Sequence, residues 1–296
     1  MTETAVLLCG HGSRDPEAIR EFELAAAALR PRLSGFDFAT GYLEFAHPTI
    51  REGLALLAAR GAQRILAIPA MLFAASHVKN DLPWEMNSFI ADNPGIDVRL
   101  ARDLGIDPKL LQAAADRIAT ATDDTRIPRN ETLLVVVGRG TNDPDANSNI
   151  SKLARMLWEG TGLGWAEVAF SGVADPRVDA ALMRAAGLGF RRIIVFPYFL
   201  FTGVLVKRIY AQTNSVAVHF PEIEFVKALY LRDHQGVLDA FCERVAELDE
   251  TQPAMNCQLC KYRTQIIGYE HDAGAPQAGH HHHVRGIGTG HHHHHR

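Results

Sequence analysis

The sequence contains a long internal repeat, which limits the chain to folds that can be built twice. A shift of 128 residues superimposes residues 10–79 on residues 138–207 without a gap. The stretch VLLCGHGSRDPEA, residues 6–18, returns as LLVVVGRGTNDPDA, residues 133–146. A repeat of this length indicates duplication and fusion of one folding unit, not a short-period solenoid.

Each copy alternates short apolar runs with longer amphipathic stretches. Runs bounded by glycine or proline predict buried strands, and alanine-rich stretches with helical spacing predict helices. The predicted strands are AVLLC, DFATGYLEF, RILAIPAML and DVRLA in the first copy, and TLLVVV, EVAFS, RIIVFPYFL and EFVKAL in the second. Because strands alternate with helices, we predict an α/β fold of two similar parallel-sheet units with helices on both faces.

The length of 296 residues accommodates two domains that each bury a core. We expect an N-terminal α/β unit over residues 1–121 and a duplicated C-terminal unit over 132–250. The polar stretch TDDTRIPRNE, residues 122–131, is the expected linker. Beyond residue 250 the periodicity fades into glycine, proline and histidine, so residues 251–296 are predicted to form a poorly ordered tail.

Composition excludes several classes of protein. The formal charge of −4 provides no basic excess for nucleic-acid phosphates. No run approaches the roughly 20 apolar residues that span a membrane, and the N-terminus lacks the basic segment of a signal peptide. The four cysteines are too few and too uneven for a disulfide framework. We therefore expect a cytoplasmic protein that binds neither nucleic acid nor membranes.

Three residues with metal-binding or proton-accepting side chains follow successive strands of the first unit. His11 follows strand one, Glu44 ends strand two, and His77 lies in FAASHVKND after strand three. In open α/β sheets the loops at the carboxyl ends of the strands meet at one edge, where ligands bind. Two imidazoles and a carboxylate at this edge would form a site for a divalent transition metal or a set of proton acceptors.

The repeat shows that these three side chains are needed only once. Their counterparts in the second unit are Arg139, Gly172 and Leu205, whereas the neighbouring glycines and prolines recur. A scaffold role would be needed in both copies, so the joint loss favours a single functional site in the first unit. Taken singly, each histidine could be an ordinary loop residue or helix cap, and GHGS could be a phosphate-binding turn at a helix N-terminus.

Four segments together resemble one known family. LLCGHGSRDPEA, Glu44, FAHPTI and PAMLFAASHVKND resemble the sirohydrochlorin cobaltochelatases, a family of class II chelatases, and the resemblance covers residues 5–250. It implies ATP-independent insertion of Co²⁺ into sirohydrochlorin, a tetrapyrrole, in cobalamin biosynthesis. It also implies two similar α/β halves facing each other across a cleft that holds the active site, with His11, Glu44 and His77 as catalytic and metal-binding residues.

The three residues fit metal insertion, but they do not determine which metal is inserted. Insertion removes two pyrrole N–H protons, and imidazole, with an unperturbed pKa of about 6.5, accepts protons near neutrality. Imidazole and carboxylate suit cobalt, iron and nickel alike, so a ferrochelatase or nickelochelatase is the nearest alternative. A non-catalytic metal storage or delivery protein is a further alternative, and the missing signal peptide counts against a periplasmic-type binding protein.

The implied substrate is strongly acidic. Sirohydrochlorin carries eight carboxylates, which an acidic protein can hold only with local basic groups. Basic residues lie in or near the predicted loops, and we expect Arg14, Arg139 and Lys207 to bind the substrate. In the second unit Arg139 replaces His11, and its guanidinium can pair with a carboxylate but cannot accept a proton.

The tail carries two further motifs. Met255, Cys257 and Cys260 match an MxCxxC segment of the family's long form, for which the resemblance implies an iron–sulfur cluster of the [4Fe–4S] type. Such a cluster takes four cysteines, so two per chain suffice if a homodimer shares one cluster or other ligands contribute. Nine of the 15 histidines lie in residues 280–296, which predicts metal buffering or delivery.

Overall fold

Strands and helices alternate along both repeats in the computed structural model, which describes residues 3–123 and 126–250. The elements of the first repeat are β1 (Thr4–Gly10), α1 (Pro16–Leu29), β2 (Asp37–Tyr42), α2 (Ile50–Ala59), β3 (Arg64–Pro69), a π-helical turn (His77–Asp81), α3 (Leu82–Asp92), β4 (Asp97–Leu100) and α4 (Pro108–Ala121). Those of the second are β5 (Thr132–Gly138), α5 (Pro144–Thr161), β6 (Trp165–Phe170), α6 (Val178–Ala186), β7 (Arg192–Pro197), α7 (Val204–Ala217), β8 (Glu224–Lys227) and α8 (Gln235–Glu250). Short 3₁₀ turns, Arg30–Leu33 and Arg129–Glu131, complete the described elements.

Each repeat forms one four-stranded sheet, and all neighbouring strands are parallel. The strand order is β2-β1-β3-β4 in the first sheet and β6-β5-β7-β8 in the second. The central strands are the most buried, and residues 5–9 of β1 are at most 1% exposed. Such continuous apolar burial is typical of parallel strands covered on both faces. The predicted pair of parallel-sheet α/β units is confirmed.

The two loops that follow β1 and β5 start their helices in the same way. Asp15 caps α1 by accepting the Glu17 backbone N–H at 3.1 Å, and Asp143 caps α5 through Asp145 at 3.0 Å. Proline occupies the first position of both helices, where its missing N–H leaves no bond unmade. The repeated DP dipeptide therefore has a structural explanation, separate from the residues that differ between the loops.

The compact units group the helices differently from the repeats. Within the described residues, one unit contains residues up to Gly105 together with those from Phe241, and the other contains Ile106–Ala240. Helix α4, which belongs to the first repeat, thus packs in the second unit, against α5 and β7. The last turns of α8, which belong to the second repeat, pack in the first unit.

Charged side chains hold each of these exchanged helices in its unit. In the first unit, Arg102 donates to both carboxylate oxygens of Glu247 in α8, at 3.0 and 2.8 Å. In the second unit, Arg117 of α4 donates to the Leu231 carbonyl at 2.9 Å and pairs with Asp233 at 3.1 Å. These contacts tie together segments that are far apart in the sequence.

Candidate metal site

His11 and Glu44 lie in two loops that are joined through their backbones. The Glu44 N–H donates to the His11 carbonyl at 3.0 Å, two residues after β2 ends and one residue after β1 ends. Gly12 has φ +86°, and a Cβ atom at this position would lie 1.7 Å from the Glu44 carbonyl oxygen. Only glycine fits there. The GHG motif therefore allows the two loops to touch, which brings the His11 and Glu44 side chains together.

Glu44 is buried, with 6% of its surface exposed. It lies two residues beyond β2, which ends at Tyr42, so the expectation that Glu44 ends the strand is wrong. The backbone bends between them, because Leu43 still donates to the Gly10 carbonyl of β1 at 2.9 Å whereas Phe45 has φ +61°. This bend separates Glu44 from the strand.

His77 begins a π-helical turn, a rare conformation in which one turn takes an additional residue. The Leu82 N–H donates to the His77 carbonyl, five residues back. Within this turn the His77 Nδ1 atom lies 2.6 Å from Oδ2 of Asp81. Asp81 is not among the site residues predicted from the sequence. Its position four residues after His77 in HVKND does indicate a contact, because side chains at this spacing are neighbours on a helix.

The structure brings His11, Glu44 and His77 together. One ligand atom from each lies within 4.8 Å of the other two. The two imidazole rings meet edge to face, with centroids 4.7 Å apart at 84°. In residues 3–123 and 126–250 this is the one such group of histidine, cysteine, aspartate or glutamate side chains.

The hydrogen bonds of the two imidazoles define which nitrogen faces the site. His11 Nδ1 lies 2.9 Å from the Gly12 carbonyl oxygen, which can only accept, so Nδ1 carries the proton. The Asp81 carboxylate has the same effect on His77 Nδ1. In the neutral form of each ring the Nε2 atom then carries the lone pair, and such carboxylate and carbonyl partners orient metal-binding histidines. With Glu44, the site presents two nitrogen donors and one oxygen donor.

Cys9 lies two residues before His11 but is not part of this group. Its side chain is fully buried in β1, and burial raises the pKa of the thiol far above its usual range. A thiol that stays protonated is a poor metal ligand. Cys9 is therefore a core residue.

The second unit keeps the loop geometry and lacks the ligands. Gly140 has φ +82°, and a Cβ atom there would lie 1.8 Å from the Gly172 carbonyl oxygen, as Gly12 does to Glu44. The Gly172 N–H donates to the Arg139 carbonyl at 3.0 Å. At the place of His77, Leu205 lies in the first turn of a regular α-helix. Both units thus share the loop backbone, but only the first unit has metal-donor side chains at these three positions.

The three basic residues predicted to bind substrate lie on the surface. Arg14 is exposed in the loop after β1, and its guanidinium lies 4.9 Å from the centre of the Phe45 ring. Arg139 is exposed directly after β5, and Lys207 is exposed in the first turn of α7. Cys257, Cys260 and the histidine-rich segment 280–296 lie outside the described residues.

In the part of the chain that the structure describes, no helix has both the length and the apolar character that crossing a bilayer requires. The fold and the site thus define a duplicated α/β protein in which His11, Glu44 and His77 form one group of potential ligands of the kind that suits transition metals.

Comparison with known families gives the narrower assignment. The model of the CbiX family matches this chain twice, over residues 5–121 and 133–248. The chain belongs to the CbiX family.

Relatives with both repeats are found among bacterial chelatases. A sirohydrochlorin cobaltochelatase of Priestia megaterium is 34% identical over 89% of this chain and 86% of its own length. A sirohydrochlorin ferrochelatase of Bacillus subtilis is 28% identical over 82% of this chain and 91% of its own.

Solved structures show the same fold. The sirohydrochlorin chelatase SirB of Bacillus subtilis subspecies spizizenii in complex with cobalt is 26% identical and has a TM-score of 0.70, covering 83% of this chain and 95% of that one. SirB of Bacillus subtilis with Fe³⁺ has a TM-score of 0.72 at the same identity and coverage.

Proposed function

We propose that the protein is a sirohydrochlorin chelatase that inserts Co²⁺ into the macrocycle without ATP, in the biosynthesis of cobalamin. The observation that carries the proposal is the group of His11, Glu44 and His77, whose ligand atoms lie within 4.8 Å of one another at the carboxyl edge of the first sheet. The similarity to the sirohydrochlorin cobaltochelatase of Priestia megaterium supports the choice of substrate and metal.

The site supplies what metal insertion requires. The incoming Co²⁺ exchanges water ligands for the four nitrogens of the macrocycle, and two pyrrole protons leave. The Nε2 lone pairs of His11 and His77 can hold the ion and then accept these protons as it moves into the ring. The Glu44 carboxylate offsets part of the charge of the ion, and its burial strengthens that attraction.

We assign the substrate carboxylates to the basic residues that follow the strands. Arg14 in the first unit, and Arg139 and Lys207 in the second, are exposed and can meet acetate or propionate groups. Arginine forms two parallel hydrogen bonds with a carboxylate, whereas lysine acts as a point charge. The acidic protein would thus bind an acidic ligand through a few local cations.

Iron is the second candidate metal. The ferrochelatase of Bacillus subtilis covers nearly as much of this chain as the cobaltochelatase does, and two imidazoles with one carboxylate accept Co²⁺, Fe²⁺ and Ni²⁺. Discrimination between these metals therefore has to be measured.

The test is a chelation assay with separate metals. Purified protein is incubated anaerobically with sirohydrochlorin and Co²⁺, Fe²⁺ or Ni²⁺, and the absorbance of the metallated product is followed against a protein-free control. We expect product in excess of enzyme, formed fastest with Co²⁺. Faster turnover with Fe²⁺ would replace the cobaltochelatase by a ferrochelatase. Metal binding with no more than one product per chain would instead indicate a storage or delivery protein.

A further inference from the structure

The second unit has arginine side chains at the place where the first unit has a buried carboxylate. Gly172 is the counterpart of Glu44, so the backbone continues there without a side chain. A Cβ atom at Gly172 would lie 3.5 Å from Nη2 of Arg208 and 3.7 Å from Nη1 of Arg177. Two guanidinium groups thus border the space that the missing side chain leaves.

Arg208 is held in place by neutral groups. Its Nη2 donates to the Ser171 carbonyl oxygen and to the Ser171 hydroxyl, the latter at 3.1 Å. In residues 3–123 and 126–250 no carboxylate pairs with Arg208. The side chain is therefore oriented by the protein while its charge is not neutralised by it, and its other N–H groups can donate to a ligand.

Arg177 has one weakly compensating partner. Its Nε lies 3.5 Å from Oδ1 of Asp175, whose side chain is 85% exposed. An ion pair so open to water contributes little, and the Nη atoms of Arg177 stay on the side of Gly172. The third arginine, Arg139, follows β5, and its carbonyl oxygen lies 3.9 Å from the same point.

The charges at this position changed together between the repeats. The counterparts of Arg139, Arg177 and Arg208 in the first unit are His11, Thr49 and Asn80, of which none is a permanent cation. The first unit thus has a carboxylate, Glu44, which can bind a metal cation, whereas the second unit has arginines at the same place, which can bind a carboxylate. Two guanidinium groups at one place repel each other unless an anion offsets their charge, which indicates a function for Arg177 and Arg208.

We propose that Arg177 and Arg208 beside Gly172, together with Arg139 of the adjoining loop, bind one carboxylate group of the tetrapyrrole substrate; these three residues are here called the arginine site. The inference rests on the proposed function, which supplies a ligand with eight carboxylates. The planar guanidinium groups match a carboxylate through paired hydrogen bonds, and the absence of a side chain at Gly172 leaves room for it. The same chemistry would hold a small inorganic anion, which the test has to distinguish.

The sharpest test returns a carboxylate to the site. Gly172 has no positive φ, and a Cβ atom there would make only ordinary van der Waals contacts, so the backbone accepts a side chain at this position and Gly172→Glu can be made. The introduced carboxylate would pair with Arg177 and Arg208 and occupy the site. We expect the full-length G172E protein to bind metal-free sirohydrochlorin roughly tenfold more weakly, the effect of about one charge-assisted hydrogen bond. Fluorescence titration measures this dissociation constant.

Two matched variants separate charge from space and from general electrostatics. Gly172→Ala adds the Cβ atom without the charge and should weaken binding by less than G172E. Arg208→Gln removes the guanidinium and should match G172E. Arg191→Gln removes an exposed arginine before β7 that pairs with Glu131 at 2.9 Å, so it controls for the loss of one positive charge. Circular dichroism and the melting temperature verify that each variant is folded.

The outcomes distinguish this inference from the proposed function. Wild-type affinity in both G172E and R208Q would overturn the arginine site, whatever the chelation assay shows. If the wild type binds sirohydrochlorin but metallates it with none of the three metals, the proposed function fails while the titration still tests the site. Inorganic phosphate that competes with sirohydrochlorin only in proteins with an intact site supports the inference. Phosphate binding there without any effect of G172E on sirohydrochlorin would leave an anion site only and overturn the substrate role.

Discussion

Asp81 determines how His77 presents its ring to the site. Its carboxylate accepts a hydrogen bond from the His77 Nδ1–H group, with 2.6 Å between Nδ1 and Oδ2. The Nε2 atom is then the one that can donate a lone pair to the metal. Loss of such a partner typically costs 10–100-fold in metal affinity or activity. We therefore expect Asp81→Ala to lower kcat/KM for chelation by about 10–100-fold, and Asp81→Asn, which can still accept the hydrogen bond, to lower it less.

The control for Asp81 is Asp92 at the end of the same helix. Asp92 is 60% exposed and pairs with Arg51 on the surface, away from the three ligands. Asp92→Ala should keep the wild-type rate. An Asp81→Ala protein with the rate of the Asp92→Ala protein would show that the Asp81 contact does not orient His77.

The histidines themselves should be indispensable. Both act as donors to the metal and as proton acceptors in the proposed reaction, so His77→Ala should reduce chelation by more than about 100-fold. The protein should remain folded, because the His77 side chain is 17% exposed and lies at the beginning of a helical turn. Initial rates at saturating Co²⁺ measure the effect, and a His77→Ala enzyme with near-normal rates would remove His77 from the mechanism.

At the scale of elements, the loop that leads to His77 is held by the loop that follows β4. Leu104 donates to the Met71 carbonyl at 3.0 Å, Gly105 donates to Leu72 at 2.8 Å, and the Asp103 carboxylate accepts the Ala74 N–H at 3.0 Å. This arrangement places a largely enclosed carboxylate beneath the loop before the π-helical turn.

Asp103 gives this region a pH dependence whose sign is defined. Burial raises the pKa of the Asp103 carboxyl, outweighing the Ala74 N–H and the charges of Arg102 and Arg244, which lower it. Between the usual aspartate pKa and the raised value, the folded state binds more protons than the unfolded state, so this contribution to stability falls as pH rises. Asp103→Asn keeps an acceptor for Ala74 without the titration. We expect wild type to lose stability relative to Asp103→Asn as the pH rises above the usual aspartate pKa of about 4.

Urea unfolding of both proteins over that pH range measures the difference. Parallel curves of unfolding free energy against pH would show that Asp103 has the same pKa in the folded and unfolded chains.

The type and order of the elements could be predicted from the sequence, whereas the π-helical turn could not. Alternating apolar runs identify strands such as β1 and β3, because fully buried parallel strands are almost entirely apolar. The turn at His77 has no such signature, since FAASHVKND also fits the start of an ordinary α-helix. One indirect signal exists: the segment from Pro69 to Asp97 is one residue longer than that from Pro197 to Glu224. An additional residue is what a π-helical turn accommodates.

The candidate site was predictable from position alone. The ends of parallel strands converge, so His11, Glu44 and His77 could be placed together before any distance was known. Their orienting groups could not, because the contacts of His11 with the Gly12 carbonyl and of His77 with Asp81 depend on rotamers and local turns. The same holds for Arg177 and Arg208, whose approach to Gly172 requires the folded loops.

At the scale of the whole molecule, the histidine-rich tail should affect metal supply and not chemistry. The proposed donors all lie in the first unit, while residues 280–296 contain nine histidines, a residue type whose imidazole suits Co²⁺, Ni²⁺ and Zn²⁺. Deleting residues 280–296 should lower the number of metal ions bound per chain and leave chelation at saturating Co²⁺ unchanged. Equilibrium dialysis and the chelation assay measure the two quantities. A deletion protein that is inactive at saturating metal would place the tail in the catalytic apparatus.

The exchange of helices was also beyond the reach of the sequence. The repeats in the sequence include α4 with the first copy and α8 with the second, and the two matches to the family model divide the chain at the same place. The amphipathic pattern of a helix indicates that one face packs against an apolar surface, but it does not indicate which unit provides that surface. The choice is made by contacts such as Arg117 with Asp233 and Arg102 with Glu247.

Because of this exchange of helices, the two sequence repeats do not coincide with the two compact units. Each repeat is one continuous stretch of the sequence, yet neither contains all the elements of one compact unit, because α4 and the last turns of α8 pack in the unit built mainly from the other repeat. A break in the backbone between residues 123 and 126 would release no unit, since α4 would remain packed in the second unit and the end of α8 in the first. The two polypeptides on either side of such a break should fold only when both are present, as partners that each complete the other.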